Sequence, residues 1–339
     1  MISPLGTTLT QHIVGEQRLH PEAKGDFTNL MQGIVTAAKI ISKTVRRAGL
    51  VDIMGMAGSQ NIYGEDVQKL DLYSDKAIVN VMNYTGQLGA MASEENDDLI
   101  HIPDEYPHIG KYVLAFDPLD GSSNICANAT IGTIFSVHKR ITTEGRATEE
   151  DFLQIGRKQV CAGYVVYGSS TLLVYTTGHG VHGFTLDPSV GEFLLSHPNM
   201  RIPTRGTVYS ANEGNFEYWD KKDQELVRYF KTLDKETGRP YSLRYIGTLV
   251  ADFHRNLLTG GLFMYPADNK KSSNTRGKLR LLFEAAPLAM IAEQAGGGAT
   301  DGRENILDIT PEQIHQKVPL YIGSKEDVDL ATRFVSGQN

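Results

Sequence analysis

The stretch Ala115-Phe-Asp-Pro-Leu-Asp-Gly-Ser-Ser-Asn124 decides how this chain is read. It follows an apolar run, Tyr112–Phe116, whose pattern predicts a short buried strand. Pro118 removes a ladder donor and should stop the strand. Gly121 admits backbone conformations closed to other residues. Asp117 and Asp120 are hard oxygen ligands drawn together by one turn, a chemistry that suits Mg²⁺ or Mn²⁺. Gly121, Ser122 and Ser123 then offer N–H groups and hydroxyls of the kind that hold phosphate. Taken alone, the stretch fits an ordinary strand-end turn equally well.

The bulk numbers narrow the field. The 339 residues, 40% hydrophobic and 22% charged, fit an ordinary soluble protein with one large or two medium domains. No apolar run is long enough to span a bilayer, and the first residues lack a signal-peptide pattern. A net charge of −7 argues against a nucleic-acid binder. It leaves phosphorylated substrates open, because a bound cation reverses the local sign. Two cysteines without CxxC spacing, Cys126 and Cys161, point to reduced thiols and a cytoplasmic setting.

Working outward, a short helix is expected at Thr10–Arg18. A longer one has Phe27, Leu30, Met31, Ile34, Ala38, Ile41 and Val45 on one face, Asp26 as N-cap and Gly49 past its end. Val51–Lys69 reads as a long loop, followed by a helix over Leu72–Tyr84. Gly89–Asn96 reads as a strand ending in Glu94-Glu95, a pair that by itself suits a solvated loop. Ile131–Ile141, Cys161–Tyr167, Thr171–Thr177, Gly180–Leu186 and Glu192–Leu195 predict an antiparallel meander. His179, His182 and His197 form no regular ligand set and read as turn or surface residues. Two prolines near His197–Arg205 suggest a boundary that divides the chain into 1–200 and 201–339. The second half alternates strand and helix, with Leu279–Ala295 as one long helix bent at Pro287.

Acids gather at element ends in the first half: Glu65, Asp71, Glu94, Glu95, Asp117 and Asp120. Glu284 adds a carboxylate inside an apolar helix, where it needs a partner or a metal. Brought together without cations, such groups would repel and several would have to protonate. A pair of divalent metals about 3.5–4 Å apart removes the conflict and clamps both oxygens of an in-line phosphoryl displacement.

At this point the chain resembles the class I fructose-1,6-bisphosphatases, of the Mg²⁺-dependent, lithium-sensitive phosphatase superfamily. The shared pieces are Gly6–Thr10, Ala57–Asn61, Lys69-Leu-Asp71, Ser93-Glu-Glu95 and Phe116–Asn124. In the second half they are Ala211–Gly214, Arg244–Gly247, Val250–Asp252, Tyr265-Pro-Ala267 and Lys278–Glu284. The resemblance implies a mixed α/β fold, a layered α-β-α-β-α sandwich of two sheet-containing domains. Residues 1–200 would be an AMP-type allosteric domain carrying most metal ligands, and 201–339 the bisphosphate-binding domain. It implies hydrolysis of the 1-phosphate of fructose 1,6-bisphosphate with two or three Mg²⁺, Mn²⁺ being a possible substitute. Glu65, Glu94, Asp117, the Leu119 carbonyl, Asp120 and Glu284 would hold metal. Asp71 and Glu95 would position and deprotonate the attacking water. Asp120, Gly121, Ser122 and Ser123 would meet the 1-phosphate; Asn212, Arg244, Tyr245 and Tyr265 would meet the 6-phosphate, with Lys278 contacting the substrate too. For single residues a plainer role stands beside this one: Tyr245 and Tyr265 as core aromatics, Lys278 as a surface lysine.

The resemblance also implies a homotetramer in which Arg244 crosses to a neighbouring subunit. It places an AMP site on Lys24, Gly25, Asp26, Thr28, Lys111, Tyr112 and Lys139, altered because Lys139 replaces an arginine and Lys24 a small hydroxyl residue. Asn215 stands where animal members carry tyrosine, and Glu65 where they carry aspartate. The cysteine-bearing loop of the chloroplast branch has no counterpart. The neighbouring readings are a sedoheptulose-1,7-bisphosphatase or another superfamily phosphatase, and a catalytically silent sugar-phosphate-binding regulator.

Overall fold

The computed structural model describes residues 6–16, 25–48, 50, 56–60, 66–105 and 110–338. Helix α1 spans Leu9–Glu16 and α2 spans Asp26–Val45. Leu30, Met31, Ile34, Ala38 and Ile41 are buried along α2, so the 3.6-residue pattern does mark its inner face. Its cap differs from the expectation. Gly25 takes the cap position at φ 84°, and Asp26 becomes the first helical residue, its carboxylate paired with Lys111. Only glycine enters that left-handed conformation without a steric cost. Gly49 lies outside the described residues.

Within the expected Val51–Lys69 loop, β1 (Met56–Gln60) pairs antiparallel with β2 (Asp66–Gln68). The run lacks apolar alternation, so nothing announces these strands. Helix α3 (Lys69–Met82) then starts three residues earlier than its apolar pattern suggests, which puts Asp71 in its first turn. Next come β3 (Leu88–Ser93), β4 (Ile100–His101), β5 (Tyr112–Asp120), β6 (Ile131–Lys139) and β7 (Gln159–Tyr167). They are followed by β8 (Thr171–Thr176), β9 (His182–Asp187) and β10 (Glu192–His197). These form an eight-stranded sheet in the order β10-β9-β8-β7-β6-β5-β3-β4. The meander is antiparallel from β5 to β10, and β3 runs parallel to β5.

The second sheet is assembled from β11 (Val208–Ser210), β12 (Ser242–Leu243), β13 (Leu262–Tyr265), β15 (Gly298–Thr300) and β17 (Leu320–Gly323). Its order is β12-β11-β13-β17-β15, with β11 parallel to both neighbours and β17 antiparallel to both of its own. Around it lie α4 (Lys221–Lys231), α5 (Leu249–Thr259), α6 (Ala286–Gln294) and α7 (Lys325–Ser336). A two-stranded ladder joins β14 (Leu279–Arg280) to β16 (Lys317–Val318).

Three apolar cores define the layering. Leu114, Phe116, Phe135 and Val165 of the first sheet pack with α2 and α3. The opposite face, Ile134, Tyr164 and Val174, packs with Phe253 of α5 and Leu288 of α6, which in turn cover Phe263 and Ile322 of the second sheet. The outer face of that sheet, Tyr209, Leu262 and Tyr321, packs with Phe230 of α4 and Val328 of α7. Helix, sheet, helix, sheet and helix therefore succeed one another as the expected sandwich. Both faces of the first sheet are covered, so β5 and β6 are buried almost end to end.

The long helix expected over Leu279–Ala295 is instead three pieces. Leu279–Arg280 is strand, Leu281–Ala285 is a π-helical turn, and α6 begins at Ala286. Pro287 sits in the first turn of α6, where its missing N–H costs no helical hydrogen bond, so it opens the helix rather than bending it. The wide turn upstream carries Glu284.

Candidate active site

Strand β5 does not stop at Pro118. Its ladder with β6 slips between Asp117 and Asp120, a bulge that absorbs the proline and carries the strand to Asp120. Asp117 and Asp120 are thereby fixed on a buried strand end, at 4% and 9% exposure, rather than on a free loop. Asp117 Oδ1 accepts from Leu119 N–H at 2.9 Å. Asp120 accepts from the first two N–H groups of α5, Leu249 at 3.3 Å and Val250 at 2.6 Å, where the helix dipole favours negative charge.

Glu94 hangs from the turn after β3 and donates its own N–H to the Phe116 carbonyl. Glu284 arrives from the π-helical turn and accepts from Arg280 N–H at 2.6 Å. One carboxylate oxygen each from Glu94, Asp117 and Glu284 lie within 4.8 Å of one another. Residues far apart in the chain thus meet at one point, as the acid pattern implied. Asp120 stands beside the trio, with both oxygens engaged by α5.

The electrostatics follow from burial. Asp117 is pushed well above the carboxylate range by desolvation first, then by Glu94, Asp120, Glu284 and Glu95. Glu284 is raised by burial and by Glu94 and Asp120, against the pull of Arg280. Asp120 rises to about 7, again mainly by burial, with the α5 N–H groups opposing. Arg280, 1% exposed, approaches Glu94 Oε1 at 3.6 Å. This buried guanidinium meets Glu94 and Glu284, and one positive charge cannot balance the wider cluster. The sequence motif contained Arg280, but nothing in its local pattern announced that an arginine would be buried there.

The other expected residues fall as follows. Asp71 is buried, 3% exposed, in the first turn of α3. Glu95 is half-buried and close enough to raise Asp117. Leu119 is buried between the two aspartates. Gly121 has φ 79° and opens a short turn at Ser122–Asn124. Asn212 caps the turn before α4, accepting from Gly214 N–H. Tyr245 and Tyr265 are half-buried, and both lie against the core between the sheets. Tyr245 is raised above the usual phenol range by burial, then by Tyr265, Asp252 and Asp120, so these groups share one neighbourhood. Lys278 Nζ stands 6.0 Å from the Tyr265 ring centre, and Arg244 is exposed. Asn215 is buried and accepts from Lys270 Nζ at 3.2 Å. Of the AMP-type set, Asp26 pairs with Lys111, and Tyr112 lies opposite Lys139 in the ladder. Glu65 and Lys24 lie outside the described residues.

Sequence reasoning missed a second tier. Asp75, one helical turn beyond Asp71, accepts from Ser93 Oγ at 2.6 Å and twice from Asn96 Nδ2 at 3.1 Å. This pins both ends of the Glu94-Glu95 turn. Its i, i+4 spacing from Asp71 was the available signal. Other cavities lie elsewhere among the described residues. One of about 500 Å³ is lined by Lys222, Arg276 and Arg303 and also by Asp220, Asp301 and Glu304, so its charges cancel. The carboxylate cluster, by contrast, carries an uncompensated charge.

The donor set fits a hard divalent cation. Oxygens on Mg²⁺, bound at about 2.1 Å, sit roughly 3 Å apart when adjacent and about 4.2 Å when opposite. A trio within 4.8 Å needs little movement to close on one.

Comparison with known proteins agrees with this chemistry. The family model described as Fructose-1-6-bisphosphatase, N-terminal domain, matches residues 7–198, and that of the C-terminal domain matches 202–336. The class 1 fructose-1,6-bisphosphatase of Maridesulfovibrio salexigens is 56% identical over 323 residues, 95% of either chain. That of Chloroherpeton thalassium is 55% identical over 332 residues, 97% of this chain and 93% of the other. The Leishmania major fructose-1,6-bisphosphatase in holo form superposes with a TM-score of 0.89 at 43% identity, covering 97% of this chain and 99% of that one. Its T-state structure gives 0.86, covering 98% and 99%.

Proposed function

Since the chain belongs to the class 1 fructose-1,6-bisphosphatase family, it is a sugar-bisphosphate phosphatase, and we propose the residues by which it removes the 1-phosphate of fructose 1,6-bisphosphate. The observation that carries the reading is the buried meeting of Glu94, Asp117 and Glu284. With Asp120, the Leu119 carbonyl and Glu65 they would hold Mg²⁺, or Mn²⁺ in its place. When bound, the cation neutralises the cluster and polarises the phosphoryl oxygens. The charge balance supports two ions. Glu94, Glu95, Asp117, Asp120 and Glu284 against Arg280 leave a formal charge of about −4. Glu65 would be the residue for a third.

Gly121, Ser122 and Ser123 receive the 1-phosphate through N–H groups and hydroxyls at the strand end. Asp71 and Glu95 orient the attacking water and accept its proton. Asn212, Arg244, Tyr245 and Tyr265 hold the far phosphate, with Lys278 contacting the substrate too; that phosphate is not attacked, so its binding energy serves orientation. The products are fructose 6-phosphate and inorganic phosphate. Arg244 is exposed here, which agrees with a role in a neighbouring subunit's site and with a homotetramer. The division near residue 200 would separate the metal-binding and far-phosphate halves. A cytoplasmic setting belongs to the same reading. Among the described residues, no helix is long and apolar enough to cross a membrane.

Phosphate release with Mg²⁺ from fructose 1,6-bisphosphate, sedoheptulose 1,7-bisphosphate and inositol monophosphate tests the substrate. The far-phosphate residues favour either bisphosphate over the monophosphate. Inositol monophosphate as the best substrate would defeat the assignment. No Mg²⁺-dependent turnover on any of the three would favour the silent regulator.

The AMP-type site departs further from the family's pattern. Gly25, Asp26 and Thr28 start α2, and the ion pair of Asp26 with Lys111 brings that start against Tyr112 and Lys139. A nucleotide phosphate must compete with Asp26 for Lys111, and Lys139 lacks the arginine fork. AMP titrated at saturating Mg²⁺ should inhibit, and Lys111→Ala should weaken that inhibition about tenfold, the scale of one lost charge-assisted contact. No inhibition at millimolar AMP, with no heat of binding, removes the site.

A further inference from the structure

Helix α5 touches the cluster with its first turn and does a second job one turn later. Asp252, fully buried, accepts from Ile246 N–H at 2.9 Å and Gly247 N–H at 3.2 Å. The carboxylate thus folds the Arg244–Gly247 turn back onto the helix that follows it. Arg255 Nη1 pairs with Asp252 at 2.9 Å. The other arm of the same guanidinium, Nη2, reaches Ser210 Oγ at 2.5 Å and the Arg244 carbonyl at 3.2 Å. Ser210 ends β11, two residues ahead of Asn212, and is fully buried. One ion pair therefore ties together the two segments that carry Asn212, Arg244 and Tyr245.

We propose that Asp252 and Arg255 are positioning residues for the far-phosphate subsite, and that they set the preference for a bisphosphate over a monophosphate. The inference rests on the reading of Asn212, Arg244 and Tyr245 given above. Neither residue needs to touch substrate. A planar fork fixes two backbone segments at a set angle, which an ammonium could not do. Arg255 also cancels a buried negative charge that would otherwise face an incoming dianion. Asp252 is buried while Arg255 stays about a quarter exposed, and burying a carboxylate behind one partner is a poor way to gain stability, so a role in geometry is the better account of the pair. Because the same helix binds Asp120 through Leu249 and Val250, the carboxylate cluster and the segments carrying Asn212 and Tyr245 are referred to one rigid element.

The test compares kcat and KM on fructose 1,6-bisphosphate and on fructose 1-phosphate, at saturating Mg²⁺, in the full-length enzyme. Asp252→Asn keeps an acceptor oxygen and loses the ion pair. Arg255→Lys keeps the charge and loses the fork. Asp252→Asn is expected to lower kcat/KM on the bisphosphate by about 10- to 100-fold, mostly through KM, as loss of a remote orienting contact does. On fructose 1-phosphate it stays within about threefold of wild type, which also reports that the variant is folded. Arg255→Lys falls between the two. An equal loss on both substrates, or a loss on neither, overturns the proposal. Arg244→Ala separates this failure from that of the underlying reading. If it collapses the bisphosphate preference while Asp252→Asn does not, the subsite stands and the positioning role falls. If it leaves the preference intact, the subsite itself is misassigned, and the proposal falls with it.

Discussion

Asp117→Asn is expected to lower kcat by roughly a thousandfold or more, because it removes charge from the cluster proposed to hold the metal. The same substitution should stabilise the metal-free protein. The amide oxygen of the new side chain can still accept from Leu119 N–H, so the strand end survives, while a buried carboxyl facing Glu94, Asp120 and Glu284 is gone. The pH dependence follows from the raised carboxyls. Asp120 keeps its proton to about pH 7 in the folded chain but releases it near 3.8 when unfolded. Between those values the native state binds more protons, so stability falls as pH rises. The contribution is intact below about pH 4 and lost by about pH 7. Thermal unfolding without metal should therefore show Tm declining over that window. Added Mg²⁺ should raise Tm most at the alkaline end, and Asp117→Asn should shrink that gain. A variant that keeps wild-type turnover, or the full Mg²⁺ gain at about pH 8, would sink the cluster as a metal site.

Gly121→Ala is expected to damage both folding and turnover. The residue sits at φ 79°, where a side chain costs about 1–2 kcal/mol. Its Cβ would also lie 2.2 Å from Thr248 Oγ1 and 2.7 Å from Thr248 Cγ2. Thr248 cannot give way cheaply. It is fully buried, donates to the Thr130 carbonyl at 2.8 Å and accepts from Asn124 Nδ2 at 2.9 Å. Overpacking of this kind adds roughly 1–3 kcal/mol. The Ser122-Ser123 turn would shift to relieve it, so kcat/KM should fall about a hundredfold, the scale of a displacement of about 1 Å. The double variant Gly121→Ala with Thr248→Ala should recover the steric part of the Tm loss and leave the backbone part. Differential scanning calorimetry with steady-state kinetics measures both. Wild-type Tm and turnover in the single variant would show that the turn has room the geometry denies.

Much of the fold is legible in the sequence for reasons that can be named. The meander announces itself because alternation and tight turns are local, and α2 because its apolar stripe repeats every 3.6 residues. The Pro118 bulge is not legible. A proline normally ends a ladder, and only the pairing with β6 shows that the strand resumes. The π-helical turn is hidden because an apolar run beside a proline looks like a bent helix from within. Asp252 and Arg255 read only as helix residues, since their partners Ser210 and Ile246 belong to other segments.

What the sequence by itself determined was the chemistry: which acids, hydroxyls and glycines the chain owns, and in what local order. Those depend on neighbours a few bonds away, and they pointed to phosphate and divalent cations. What only the tertiary structure decided was distance and dielectric. Glu94 and Glu284 meet Asp117 from distant parts of the chain, inside a space dry enough to raise the carboxyls of Asp117 and Glu284. Burial and long-range approach are properties of the packed layers, and no local pattern encodes them.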